Sequence, residues 1–188
     1  MDAPSARVIA AQSGDPAALA ELLRSVWPDA YRIARTIVAD HATAEDVAQD
    51  ACVQVLDALG GLRDPERFAP WFLRIVVNAA SGRLRKRGRD RPFEPPPAAP
   101  EWSSSDERLD VQRAIDALDR ASRVAIVLRY YYDLNSAEIA RITRSTPVTV
   151  RWRLMRAHRR LRALLESRAN AAAAYGEQRY ANGPQPTR

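Results

Sequence analysis

Residues 135–165, NSAEIARITRSTPVTVRWRLMRAHRRLRALL, read as two helices meeting at a tight turn, the second dense in arginine. The second helix carries its own start signal, because Thr146 is a good N-cap and Pro147 suits the first helical position, where a missing N–H loses no intrahelical bond. That start fixes the register. At about 100° per residue, Val150, Leu154, Ala157, Leu161, Leu164 and Leu165 fall on one apolar stripe that must face protein. Arg151, Trp152, Met155, Arg156, Arg159 and Arg162 fall on the other side, and Thr149 stands with them in the first turn. A solvated surface accounts for the arginines, but not for Trp152 and Met155, whose apolar area is wasted in water. A helix-turn-helix accounts for both, since a recognition helix lays its first turns in the major groove and arginine there forks onto guanine or holds phosphate.

Composition points the same way. The 188 residues carry a formal net charge of +6, and Lys86 is the only lysine, so arginine supplies almost all of the positive charge. Charge of this sign favours polyanions. No apolar run approaches the roughly 18 residues of a membrane span, and the N-terminal MDAPSARVIAAQSGD lacks the apolar centre of a signal peptide, so the expected location is the cytoplasm. Cys52 is alone, which excludes an internal disulfide, and with only His41 and His158 beside it a structural zinc site has no ligand set. Neither a metal nor a cofactor is expected.

Outward from the helix-turn-helix, the periodicity is helical throughout and no alternating strand pattern appears, which predicts an all-α fold of two small domains. Asp15 and Pro16 cap a helix with Leu19, Leu22 and Leu23, and Pro28 marks a restart into Tyr31, Ile33, Ala34 and Ile37. Thr43 and Asp46 have capping-box spacing, and the helix they open ends at Gly60 and Gly61. Another helix starts near Pro65 or Pro70 and carries Trp71, Phe72, Ile75 and Val76 before turning basic. The stretch RPFEPPPAAPEWSSS, extended where proline is dense, divides the chain. The expected organisation is a first domain over 1–89, a linker over 90–106, a second domain over 107–166 and a disordered tail over 167–188.

Two faces in the first domain invite a functional reading. On the helix after Thr43, the residues Val47, Ala48, Ala51, Val55, Leu56 and Leu59 supply the apolar face. Asp46, Gln49, Asp50, Val53 and Asp57 then align at spacings of three and four as an acidic stripe with a valine in its middle. It reads either as a solvated face or as a docking surface for a basic protein; carboxylates on one side without histidine are weak metal ligands. The next helix ends in Arg83, Arg85, Lys86, Arg87, Arg89 and Arg91 against the single acid Asp90, a cluster suited to phosphate. Trp71, Arg74 and Asn78 stand ahead of it, groups that handle unstacked bases, although an aromatic at helical spacing is commonly core.

An acidic-faced helix, an aromatic-to-basic helix, a proline-rich linker and a C-terminal helix-turn-helix occur here in that order. The chain resembles a bacterial RNA polymerase sigma factor of the extracytoplasmic-function (ECF) type. YRIARTIVADHATAEDVAQDACVQVLDAL (31–59) followed by PWFLRIVVNAASGRLRKR (70–87) is similar to sigma region two, and residues 111–165 are similar to sigma region four. The resemblance implies that Asp46, Gln49, Asp50, Val53 and Asp57 dock on the clamp coiled coil of the largest polymerase subunit. It further implies that Trp71, Arg74, Asn78, Arg83, Arg85, Lys86 and Arg87 open and hold the minus-ten element, with an everted base near the loop from Gly60 to Phe68. Thr149, Arg151, Trp152, Met155, Arg156 and Arg159 would read the minus-thirty-five element. Implied partners are the polymerase core, including its flap region, promoter DNA and an anti-sigma factor.

The chain departs from the family pattern at Arg144, where the turn of the helix-turn-helix usually has glycine. A left-handed backbone there costs a non-glycine residue about 1 kcal/mol. Gly82, Cys52 and the Val76–Val77 pair also depart. The rival reading is a stand-alone helix-turn-helix regulator with an N-terminal sensing or dimerisation domain, which leaves the basic helix before the linker unexplained. No glycine-rich phosphate loop, nucleophile elbow or metal motif suggests an enzyme.

Overall fold

The computed structural model describes residues 5–38, 40–88 and 107–181; the expected linker and the last residues of the expected tail lie outside them. The helices are α1 (Ser5–Gln12), α2 (Pro16–Val38), α3 (His41–Ala58), α4 (Phe68–Gly88), α5 (Glu107–Asp116), α6 (Arg120–Tyr130), α7 (Ser136–Thr143) and α8 (Pro147–Ala181), with single 3-10 turns at Leu59–Gly61 and Pro65–Arg67. No strand occurs among the described residues.

α2 is the axis of the first bundle and packs on α1, α3 and α4. Asp15 caps it by accepting from the Ala17 and Ala18 amides at 2.8 and 3.2 Å. The restart expected at Pro28 does not occur: the helix runs through it, with Pro28 on the exposed side. The hydrogen bond that proline forfeits is therefore one that water can replace.

The cap of α3 also differs from expectation. Asp40 caps the helix, accepting from the Thr43 amide at 3.0 Å while the Thr43 hydroxyl donates to the same carboxylate. Thr43 is thus buried inside the first turn, and Asp46 is left outside the cap with its side chain on the surface.

In the second bundle α8 packs against α5, α6 and α7. Asn135 and Glu138 form a full capping box on α7, which sequence reasoning missed. The Thr146 hydroxyl accepts from the Thr149 amide at 3.1 Å and starts α8 where the sequence predicts. α8 does not end near Ser167. It continues to Ala181; just before and after Ser167, Leu164 closes a small apolar cluster with Ala114 and Ala117 of α5 and Arg168 reaches the buried Asp110 at 2.5 Å.

The two bundles touch. α4 packs on α7 and α2 on α6, so one apolar cluster runs from Val8 through Phe72 to Ala157. A polar knot crosses the contact: Tyr132 donates to Asp29 at 3.0 Å, Arg32 donates to the same carboxylate oxygen at 2.7 Å, and the Arg32 guanidinium lies 4.1 Å from the Tyr131 ring centroid. A cleft of about 740 Å3 opens beside it, with Arg35, Arg123 and Tyr130 in its walls.

Candidate functional site

The acidic face is built by the register of α3. Thr43, Ala44, Val47, Ala48, Ala51 and Val55 are buried, which turns Asp46, Gln49, Asp50, Val53 and Asp57 outward together. Val53 is 50% exposed, and Leu56, assigned to the core face from sequence, is 46% exposed beside it. The stripe therefore has two apolar groups among its carboxylates. Helical wheel angle alone did not place Leu56, which stands at the edge of the apolar arc. Cys52 is half-buried on the same helix, and burial pushes its thiol up from the ordinary value, away from thiolate reactivity.

α4 stands next to this face. Phe68, Phe72, Leu73, Val76, Val77 and Ala80 anchor it in the core, while Arg74, Arg85 and Lys86 are exposed and Asn78 is half-buried. Trp71 is both core and surface: half-buried, it tilts against Phe68 at 5.8 Å. Arg83 is not turned loose toward solvent. Its guanidinium reaches back to α3, 2.6 Å from Asp46 and 3.9 Å from Asp50. The acidic stripe and the basic helix end, read separately in the sequence, are thus joined by an ion pair. Arg87 lies in α4 without a described side chain, and Arg89 and Arg91 lie outside the described residues.

The loop between α3 and α4 is held by a residue that sequence reasoning missed. The Gln12 amide of α1 donates to the Leu59 carbonyl at 2.9 Å and the Leu62 carbonyl at 2.7 Å, across the 3-10 turn containing Gly60 and Gly61. A glutamine ending a short helix carries no pattern that points 47 residues ahead in the chain.

On α8 the predicted faces hold. Val150, Leu154, Ala157 and Leu164 are buried, and Arg151, Trp152, Met155, Arg156 and Arg159 are exposed. Thr149 is half-buried and shares its hydroxyl with Thr146 at 2.9 Å. Arg156 is braced, its guanidinium 5.4 Å from the Trp152 ring centroid and 3.6 Å from Asp119, the cap of α6. Burial pushes the Asp119 carboxyl up, but hydrogen bonds from Ser122 and the Arg156 charge outweigh it and hold the group below its ordinary value. Arg144 adopts φ 51 and ψ 48, so the turn keeps the left-handed shape that glycine would give it.

Two family models match this chain. Residues 22–90 match the family Sigma-70 region 2, and residues 108–161 match Sigma-70, region 4. The chain is 32% identical to the RNA polymerase sigma factor SigV of Bacillus subtilis, over 73% of this chain and 84% of that protein. It is 32% identical to the ECF RNA polymerase sigma factor SigM of Mycobacterium tuberculosis, over 86% of this chain and 84% of that one. Among solved structures, the sigma factor RpoE in complex with the anti-sigma factor NepR from Bartonella quintana aligns with a TM-score of 0.64 at 25% identity, covering 78% of this chain and 95% of that chain. CnrH in complex with the cytosolic domain of CnrY aligns with a TM-score of 0.63 at 27% identity, covering 88% and 99%. Among the described residues no helix is long and apolar enough to cross a membrane. Helix order, exposed faces and relatives agree: the chain belongs to the ECF family of RNA polymerase sigma factors, which direct promoter-specific transcription initiation.

Proposed function

We propose that α3 docks the polymerase core, that α4 opens and holds the minus-ten element, and that α8 reads the minus-thirty-five element, the division into 1–89 and 107–166 following these tasks. The observation that carries this reading is the arrangement of faces. Asp46, Gln49, Asp50, Val53 and Asp57 are exposed away from the buried face of α3, and carboxylates around apolar Val53 and Leu56 suit a basic amphipathic helix of the largest-subunit clamp. Trp71, Arg74, Asn78, Arg85, Lys86 and Arg87 offer stacking, hydrogen bonding and phosphate contact along one helix, as strand capture needs. Thr149, Arg151, Trp152, Met155, Arg156 and Arg159 do the same for duplex DNA, with the flap region as the nearby polymerase contact.

The protein works as an initiation factor in the cytoplasm and catalyses no reaction itself. Base extrusion costs only a few kcal/mol, which pocket contacts offset without ATP. An anti-sigma factor is the expected regulator, because the structural relative RpoE is in complex with the anti-sigma factor NepR. The test is Asp46→Arg with Asp50→Arg: co-purification with core polymerase is lost while the helical circular dichroism signal is unchanged. Wild-type recovery in the pull-down removes the docking role.

A further inference from the structure

Arg83 sits between the two faces assigned above. It leaves α4, the proposed minus-ten helix, and its guanidinium lies 2.6 Å from Asp46 and 3.9 Å from Asp50 on α3, the proposed docking helix. Among the described residues it is the one cation of the basic helix end with an ion-pair partner. The two carboxylates are exposed, at 59% and 55%, and the Arg83 side chain is partly so, at 38%. A pair this wet holds weakly and exchanges readily, and a competing cation can take either carboxylate.

We propose that Arg83 is a positioning residue exchanged between the docking carboxylates and the promoter strand, so that engagement of the polymerase core releases a cation for DNA. In the unbound protein the contact masks both sides: Asp46 and Asp50 are partly neutralised against the core, and Arg83 is withheld from phosphate. When basic groups of the core take over the two carboxylates, the guanidinium swings out to join Arg85 and Lys86 along α4. Each step exchanges one ion pair for another, so neither meets a large barrier. The consequence is order, with core binding preceding a strong grip on the opened strand.

This inference rests on the docking role of α3, and its test separates the two. Core affinity is measured by competition for Arg83→Gln, with Arg85→Gln as a control that removes the same charge without touching α3. Arg83→Gln tightens core binding by roughly two- to five-fold over the control, the range a wet ion pair supports. The gain vanishes when Asp46→Asn and Asp50→Asn are also present. In the assembled holoenzyme, Arg83→Gln flattens the dependence of log affinity on log salt for a single-stranded minus-ten oligonucleotide by about 0.7, one phosphate contact. A merely structural pair would leave that slope untouched. Equal core affinity for Arg83→Gln and Arg85→Gln, or an unchanged slope in holoenzyme, overturns the exchange. Failure of the docking role looks different: Asp46→Asn with Asp50→Asn then leaves core affinity at the wild-type value, which overturns the exchange as well.

Discussion

At the scale of single residues, two arginines show how a departure from pattern and a conformity to it are both open to measurement. Arg144 holds φ 51 where a side chain crowds its own carbonyl. Arg144→Gly relieves about 1 kcal/mol of that strain, offset in part by the larger entropy of glycine in the unfolded chain. The expected outcome is a gain of up to about 1 kcal/mol in urea unfolding, and a loss of stability would show that the Arg144 side chain contributes more than its backbone costs. Arg151 lies next to the capped start of α8, is exposed and has no ion-pair partner among the described residues, so its guanidinium is available to a base edge. Arg151→Ala relaxes preference at one or two positions of the minus-thirty-five element and costs about 1 to 3 kcal/mol on the preferred base. Arg159→Ala, farther along the helix, weakens all sequences alike. Selections on randomised upstream elements decide between them, and an Arg151 variant with wild-type preference rejects the assignment.

At the scale of elements, the sequence was readable where a side chain speaks for its own helix. Thr146 and Pro147 fix the start of α8, Asp15 fixes that of α2, and the buried faces of α3 and α8 follow from periodicity, because each signal is local. Legibility failed where a partner element decides. Pro28 breaks no helix, since its missing donor faces water; Leu56, at the edge of the apolar arc, lies on the exposed side; and Gln12 and Arg83 act through residues far along the chain. The end of α8 is the clearest case. An alanine-rich run after Ser167 has no apolar stripe of its own, yet Asp110, 1% exposed on α5, requires a cation, and Arg168 supplies it together with Arg113 at 3.4 Å. Arg168→Ala leaves the buried carboxylate with less compensation and destabilises the protein by about 1 to 3 kcal/mol. Thermal unfolding monitored by circular dichroism checks this, and an unchanged midpoint would mean that the extension of α8 is not anchored through Asp110.

At the scale of the whole molecule, the proposed reading of two promoter elements at once by α4 and α8 requires the contact between the bundles to change. Elements centred about 25 base pairs apart are separated by roughly 85 Å at 3.4 Å per pair. A compact body of about 160 residues has a radius of gyration near 15 Å and so spans only about 40 Å. The proposed assignment therefore predicts that the packing of α4 on α7 and α2 on α6 opens when the protein engages polymerase and promoter. The polar knot adds to the apolar contact that holds the bundles together: Asp29 is only 8% exposed and accepts from both Tyr132 and Arg32. Burial, and then the Asp29 charge, push the Tyr132 hydroxyl above its ordinary value. The raised value means that its contribution is fully present below about pH 10 and is lost as pH rises beyond that, so titration of Tyr132 does not weaken the knot at neutral pH. Tyr132→Phe removes one hydrogen bond to a carboxylate and shifts the closed-to-open ratio by about 1 kcal/mol, near five-fold. Dyes on Gln54→Cys of α3 and Arg160→Cys of α8, in a Cys52→Ser background, report the distance by single-molecule energy transfer. The unbound protein gives mainly the short distance, Tyr132→Phe enlarges the long-distance population, and holoenzyme gives the long distance alone. A single distance shared by unbound protein and holoenzyme would refute opening, and with it the simultaneous reading of both elements by α4 and α8.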